Sequence, residues 1–382
     1  MHDLIRQYAA DLAAEEEPQA GAALRRVVRH YLARAVAHDR MLPSPHRPQP
    51  AAGDPAQAMA WFDLEYENLV AAFDAAVRLG EAEDEVVAEL PQAMRVWFFR
   101  HRGTDDQTRL LEAAADAAAR LGRHQERAVL LSDLGFARAA AGRLVDALAA
   151  YELAEREGPD DDLAAGLALR IGLVRRDLGD LEEAQRQLRR ARALFEKLGQ
   201  RGGQSQALAF DGWVTLRLGR PAEAVELARA SLALAGGPAQ VSGLVTLGLA
   251  LAADDPAQSL RTLREALRLA QEHNLQHNQA WCHSALGVAL RVMGSPEEAL
   301  DHHRRAFELL EPLAEVQLEI DCLHEYAETC RVAGRPDEAL ALLDRVVALA
   351  RELGRPHDER LARQARDLAG SSAAQGSPGA GR

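Results

Sequence analysis

Lysine is all but missing from this chain: of its 45 basic residues, only Lys197 is a lysine. A phosphate-cradling loop needs a Gly-rich turn that ends in Lys-Ser or Lys-Thr. Lys197 stands instead in Phe195-Glu196-Lys197-Leu198, so the sequence holds no such loop. Cysteine is sparse too, with only Cys282, Cys322 and Cys330 in 382 residues. An odd, thin set provides no disulfide framework and fits a reducing compartment. No run of 18 apolar residues occurs, so no membrane-spanning helix is expected. The start, Met1-His2-Asp3-Leu4-Ile5-Arg6, has no signal-peptide apolar stretch, and a cytoplasmic location is expected. Positive charge is also in deficit. A net charge of −13 makes the chain a poor general ligand for nucleic acid or anionic membranes.

What is present is alanine and leucine. Hydrophobic residues are 48% of the chain and aromatics only 4%, which favours helices packed closely through small side chains. Residues 1–42 read as two amphipathic helices. Leu4, Ile5, Tyr8 and Leu12 share one face, and Leu24, Val27, Val28, Tyr31, Leu32 and Ala35 share the other. A Pro-rich linker follows over 43–58, including Pro43-Ser44-Pro45-His46-Arg47-Pro48-Gln49-Pro50. Residues 59–122 read as a helical adaptor and a degenerate repeat, with Pro91 either kinking one helix or marking its start. A capping helix is expected over 354–370 and a disordered Gly/Ser/Ala tail over 371–382.

The middle, 123–353, carries an internal repeat. Gly135 is followed twelve residues later by Ala147, Gly172 by Ala184, Gly212 by Ala224, and Gly287 by Ala299. Ala327 and Ala339 keep that spacing with alanine in place of glycine, and Gly248 with Ser259 is one residue shorter. Two antiparallel helices cross closely only where one offers no bulk. Small residues supply that gap despite glycine's helix cost of about 1 kcal/mol. Between the paired positions lie Gly142-Arg143, Gly179-Asp180, Gly219-Arg220-Pro221, Gly294-Ser295-Pro296 and Gly334-Arg335-Pro336. Glycine ends a helix in the left-handed conformation and proline begins the next. Six such units predict an all-α chain of stacked antiparallel helix pairs.

The first unit, with Leu134-Gly135, Ala147, Tyr151, Ala154 and Pro159, resembles the tetratricopeptide (TPR) pattern. That resemblance implies a right-handed superhelix, a TPR-like α-solenoid. Unit steps of 36 to 40 residues exceed the usual length of about 34, which predicts longer helices. A second resemblance lies upstream. Met1-His2-Asp3-Leu4-Ile5-Arg6-Gln7-Tyr8-Ala9 is similar to the Met-His-Asp motif that closes the nucleotide-binding module of STAND (NB-ARC) ATPases. Trp61-Phe62-Asp63-Leu64-Glu65-Tyr66-Glu67-Asn68-Leu69-Val70-Ala71-Ala72 resembles the helix after that motif in bacterial members, among them SARP-type transcription regulators. The resemblance implies a C-terminal sensor portion, with His2 matching the histidine that contacts ADP phosphates. Without the remaining nucleotide contacts, no ATPase activity and no cofactor are expected.

A TPR array offers a concave groove lined by the first helix of each pair, and such grooves take extended or helical peptides. In this register the groove would present Leu173, Arg176, Trp213, Arg217, Trp281, Val288, Arg291, His324, Glu328 and Arg331. Trp and Arg are enriched at binding hot spots, and arginines can clamp carboxylates bidentately. Against that, arginines in a helix's last turn also simply suit its dipole. His273 and His277, or His302 and His303, lack the accompanying ligands of a metal site. Cys282 and Cys322 fall at the same place in successive units, which indicates packing rather than catalysis. The helix bearing Arg25, Arg26, Arg29, His30, Arg34 and Arg40 could be a solvated face, a docking face or a DNA-contacting one. No nucleophile–base pair, metal set or phosphate loop supports an enzyme. The reading is a peptide- or protein-binding scaffold, the sensor part of a STAND-type regulator; the alternative is a stand-alone adaptor docking a partner protein or peptide. An ATPase or DNA-binding module outside this chain is a possible partner, and neither direct nucleic-acid nor membrane binding is expected.

Overall fold

A computed structural model describes residues 20–43, 53–101, 105–313 and 316–376. The first expected helix and His2 lie outside the described residues. The fold is all-α, with eighteen α-helices and no strand among the described residues. The chain divides into two compact units.

Unit 1 comprises Met1–Ala137 with Glu152–Pro159. It contains α1 (Ala20–Asp39), α2 (Pro55–Leu79), α3 (Asp84–Ala93), α4 (Arg95–Arg100), α5 (Asp105–Arg120) and most of α6 (His124–Ala140). Helix α2 starts where sequence chemistry dictates. Asp54 accepts a hydrogen bond from the Ala56 amide at 2.9 Å, and Pro55 occupies the first turn. Pro91 sits inside α3 and the helix breaks at Met94, so the proline interrupts rather than begins it. Arg29 of α1 makes two hydrogen bonds of 3.0 Å to the buried Glu83 carboxylate, and Arg25 lies 3.6 Å from it. Part of the basic face of α1 is therefore spent inside unit 1. Leu24 and Val27 remain exposed on α1, which packs on α2 and α3.

Unit 2 comprises Arg138–Tyr151 and Asp160–Arg382. After the first part of α7 (Leu144–Arg156), whose last residues belong to unit 1, it runs through five helix pairs. These are α8 (Asp161–Asp177) with α9 (Leu181–Lys197), α10 (Arg201–Arg217) with α11 (Pro221–Leu234), α12 (Val241–Leu251) with α13 (Pro256–Glu272), α14 (Gln276–Val292) with α15 (Pro296–Leu310), and α16 (Val316–Val332) with α17 (Pro336–Glu352). Helix α18 (Pro356–Gly376) follows. Most helices here are 17 residues long, which accounts for the stretched repeat step. The helix α18 continues to Gly376, into the stretch expected to be a disordered tail, because Ser371-Ser372-Ala373-Ala374 carries helix-forming alanines.

The small-residue spacing works as a close crossing at several positions. A Cβ on Gly172 would stand 3.3 Å from the Ala184 carbonyl oxygen, and one on Gly212 would stand 3.4 Å from that of Ala224. Ser259 Oγ donates to the Gly248 carbonyl at 2.7 Å, a side chain using the shortened turn. Gly287 differs. Its open face is filled by the ring of His303, 2.5 Å from where a Cβ would be. His303 is 1% exposed, shares a 3.0 Å hydrogen bond with Thr329 Oγ1 and stacks on Tyr326. The missing glycine side chain makes room for an imidazole where Gly172 and Gly248 make room for the side chains of Leu188 and Leu263.

Candidate binding surface

The end of α8, the end of α10, the first half of α16 and the α17–α18 turn bring one group of polar side chains together. Trp213 of α10 is half-buried against the apolar cluster of α8 and α9. Two guanidinium groups lie on its indole, Arg176 at 5.1 Å and Arg217 at 5.0 Å from the ring centroid. This is cation–π geometry, which fixes long side chains that would otherwise be mobile. Arg176 also covers Phe210, and its Nε donates to Asp177 Oδ1 at 2.6 Å.

Opposite stand carboxylates from distant parts of unit 2. Asp321 of α16 is in electrostatic contact with Asp177, Arg176 and Arg217. Burial, then the negative charge of Asp177, pushes its carboxyl up to about 6. Asp358 of α18 faces Asp321, Arg355, Asp177 and Arg217, and burial with the Asp321 charge raises it to about 6 as well. His324 and His357 sit beside Arg217, and burial holds both imidazoles below their ordinary value. His324 Nε2 has no hydrogen-bond partner.

The residues expected to line a groove thus separate into two sets. Arg176, Trp213, Arg217 and His324 belong to this group. Trp281 lies elsewhere, packed against the apolar cluster of α12, α13 and α14. Arg291 is engaged by α16: its Nη2 lies 2.8 Å from Glu325 Oε2, and its Nη1 donates to Thr329 Oγ1 and the Glu325 carbonyl. Glu328 and Arg331 pair with each other across one turn at 2.7 Å and 2.8 Å. Leu173 and Val288 are half-buried. Among these four arginines only Arg217 has no carboxylate within ion-pair distance among the described residues, and it is exposed.

Sequence reasoning missed Asp177, Gln317, Asp321, Arg355, His357 and Asp358. One signal was available: Asp321 stands six residues before Ala327, as Trp281 stands six before Gly287. Nothing local marks Arg355, His357 or Asp358, which join the group only through the tertiary fold.

The remaining chemistry-bearing clusters are structural. His283 and His302 share a 2.9 Å contact between their Nδ1 atoms, and burial pushes His283 down to about 4. No group of three His, Cys, Asp or Glu side chains among the described residues is placed to hold a metal ion. All three cysteines are buried. Desolvation raises the thiols of Cys282 and Cys322 to about 12 and that of Cys330 to about 11, which opposes thiolate chemistry. No helix among the described residues is long and apolar enough to cross a membrane.

Residues 163–236 and 242–311 match the family described as Tetratricopeptide repeat, and the chain contains TPR repeats. No curated protein matches by sequence. Among solved structures, the chain is similar to the Rap conjugation gene regulator of the plasmid pLS20 in complex with the Phr* peptide. Identity is 16%, 81% of this chain and 94% of that chain are covered, and the TM-score is 0.53. It is similar to NprR in complex with its cognate peptide NprX at 11% identity, covering 73% of this chain and 83% of that one, with a TM-score of 0.52. A STAND protein with a tetratricopeptide repeat sensor from Pyrococcus horikoshii matches at 14% identity and a TM-score of 0.47, covering 85% of this chain and 49% of that one. At these identities the likeness is one of fold.

Proposed function

We propose that unit 2 is a non-enzymatic scaffold that binds a peptide or a protein segment bearing an acidic group, with Arg217 as its anchor. The observation that carries this reading is the state of Arg217. Its guanidinium is exposed and laid on the Trp213 ring, and among the described residues no carboxylate lies within ion-pair distance of it, Asp321 and Asp358 acting on it only from further off. A guanidinium held flat loses little freedom when it grips a carboxylate bidentately. Trp213 adds a rigid aromatic surface beside it, the usual composition of a binding hot spot. The peptide complexes named for two proteins of similar fold are consistent with such a use. We further read the chain as the sensor part of a STAND-type regulator, on the resemblance of residues 1–9 and 61–72. Trp281, Arg291, Glu328 and Arg331, which lie apart from the Arg217 group, would then line a separate part of the groove.

The test is selection of peptides from a random library on the immobilised full chain, followed by fluorescence anisotropy with the selected sequences. Trp213→Ala and Arg217→Glu should each weaken binding by about 1–2 kcal/mol or more with helicity retained. The Arg217 contribution should shrink as salt rises. Equal affinity for wild type and both variants would overturn the assignment of this surface.

A further inference from the structure

The turns that join paired helices in unit 2 are built alike. Gly142, Gly179, Gly219, Gly294 and Gly334 all take φ between 73° and 82°. In a stacked array such turns face solvent, and Gly219, Gly294 and Gly334 do. Gly142 is buried and Gly179 is half-buried. What covers them comes from the other end of the unit. Leu353 lies 3.0 Å from where a Cβ on Gly142 would stand, and the His357 ring lies 2.4 Å from the equivalent point on Gly179. Arg355 Nε donates to the Gly142 carbonyl at 3.5 Å, across 213 residues, and its Nη1 hydrogen-bonds Gln317 Oε1 of α16.

The same sequence motif gives an internal comparison. Gly219-Arg220-Pro221, Gly334-Arg335-Pro336 and Gly354-Arg355-Pro356 share one turn geometry, each arginine amide bonding back to the carbonyl five residues earlier. The side chains of Arg220 and Arg335 are 43% and 35% exposed, whereas that of Arg355 is 2% exposed. Local sequence does not bury Arg355; docking does.

The docked contact is poorly satisfied. Arg355 and Asp358 are both buried, yet their nearest approach is 3.7 Å, and Arg355 Nη2 and Asp358 Oδ2 have no hydrogen-bond partner. Asp321 and Asp177 add negative charge beside Asp358. Burying charges whose hydrogen bonds are incomplete recovers little of the hydration they lose. Undocking would return Arg355, His357 and Asp358 to water without opening any repeat's core. A contact close to balance is what a switching element needs.

We propose that residues 353–358 form a latch, an intramolecular contact that holds the last repeat of unit 2 on its first turns and opens to admit a partner segment to Arg217. The gating half rests on the binding reading of Arg217; the latch itself does not. Both are tested with spin labels on cysteines introduced at Val145 and Glu352, which are exposed while the three native thiols are buried. Gly179→Ala places a methyl group against His357. Gly219→Ala imposes the same left-handed strain, φ 82° against 77°, with nothing within 4 Å. Electron–electron distance measurements should give a narrow short distance for the wild type and for Gly219→Ala, and a longer, broader one for Gly179→Ala. Peptides from the library should associate at least about fivefold faster with Gly179→Ala than with wild type. A distance unchanged in Gly179→Ala, or lengthened equally in both glycine variants, overturns the latch. A lengthened distance with an unchanged association rate overturns the gating. Failure of every protein, wild type included, to bind any peptide overturns the binding reading, and the distances still decide the latch.

Discussion

Acid should unfasten the array at His303. The imidazole is 1% exposed, fills the space opposite Gly287 and holds Thr329, and burial pushes its pKa to about 3 from an ordinary value of 6.5. Arg291 and then His302 oppose the protonated form further. The folded pKa lies below the unfolded one, so the neutral ring's contribution is full above pH 6.5 and is lost as pH falls. Proton linkage puts the loss at about 0.8 kcal/mol at pH 6 and about 2 kcal/mol at pH 5. The value at pH 5 depends only on the folded pKa lying well below 5. His283, depressed to about 4, acts with the same sign. His303→Leu keeps an apolar side chain against Gly287 and removes the titration. Urea unfolding of wild type and variant at pH 7 and pH 5, with amide exchange resolving α14 to α16, checks the arithmetic. The loss between the two pH values should be smaller in His303→Leu by about 2 kcal/mol, whatever its stability at pH 7. The same loss in both proteins would refute the buried neutral imidazole.

Two further outcomes follow from the packing. Gly287→Leu drives a side chain into the His303 ring and should cost roughly 1–3 kcal/mol, with exchange rising first in α14 and α15; unchanged exchange there would place the crossing elsewhere. The three thiols should stay unreactive to a disulfide-exchange reagent in the native chain and all react in urea, since burial both hides them and raises their pKa values. A single fast native thiol would contradict that burial.

Some features depend on near neighbours in the chain, and these were legible in the sequence. The helix pairs follow from apolar residues at helical spacing. Their boundaries follow from glycines at φ near 80° and prolines at the first turn, as at Gly219-Arg220-Pro221. The small residues at twelve-residue spacing follow from the need for backbones to approach, and Gly172 and Gly212 do approach Ala184 and Ala224. Trp213, with Arg217 four residues on, is one face of one helix, so their proximity was local geometry.

Tertiary structure alone decided which charges are free. Arg217 and Arg291 occupy similar places at helix ends, yet Glu325 from the next repeat pairs with Arg291, whereas no carboxylate among the described residues comes within ion-pair distance of Arg217. Sequence spacing fixes which face a side chain occupies, but not whether a neighbouring helix places an opposite charge within 4 Å of it. The burial of Arg355 is the extreme case. Its turn reads like those of Arg220 and Arg335, and only the return of the last repeat onto Gly142 takes it out of water. That return is the sum of many small rotations between successive helix pairs. Each rotation is set by side-chain packing, so no single segment of sequence encodes where the two ends of unit 2 meet.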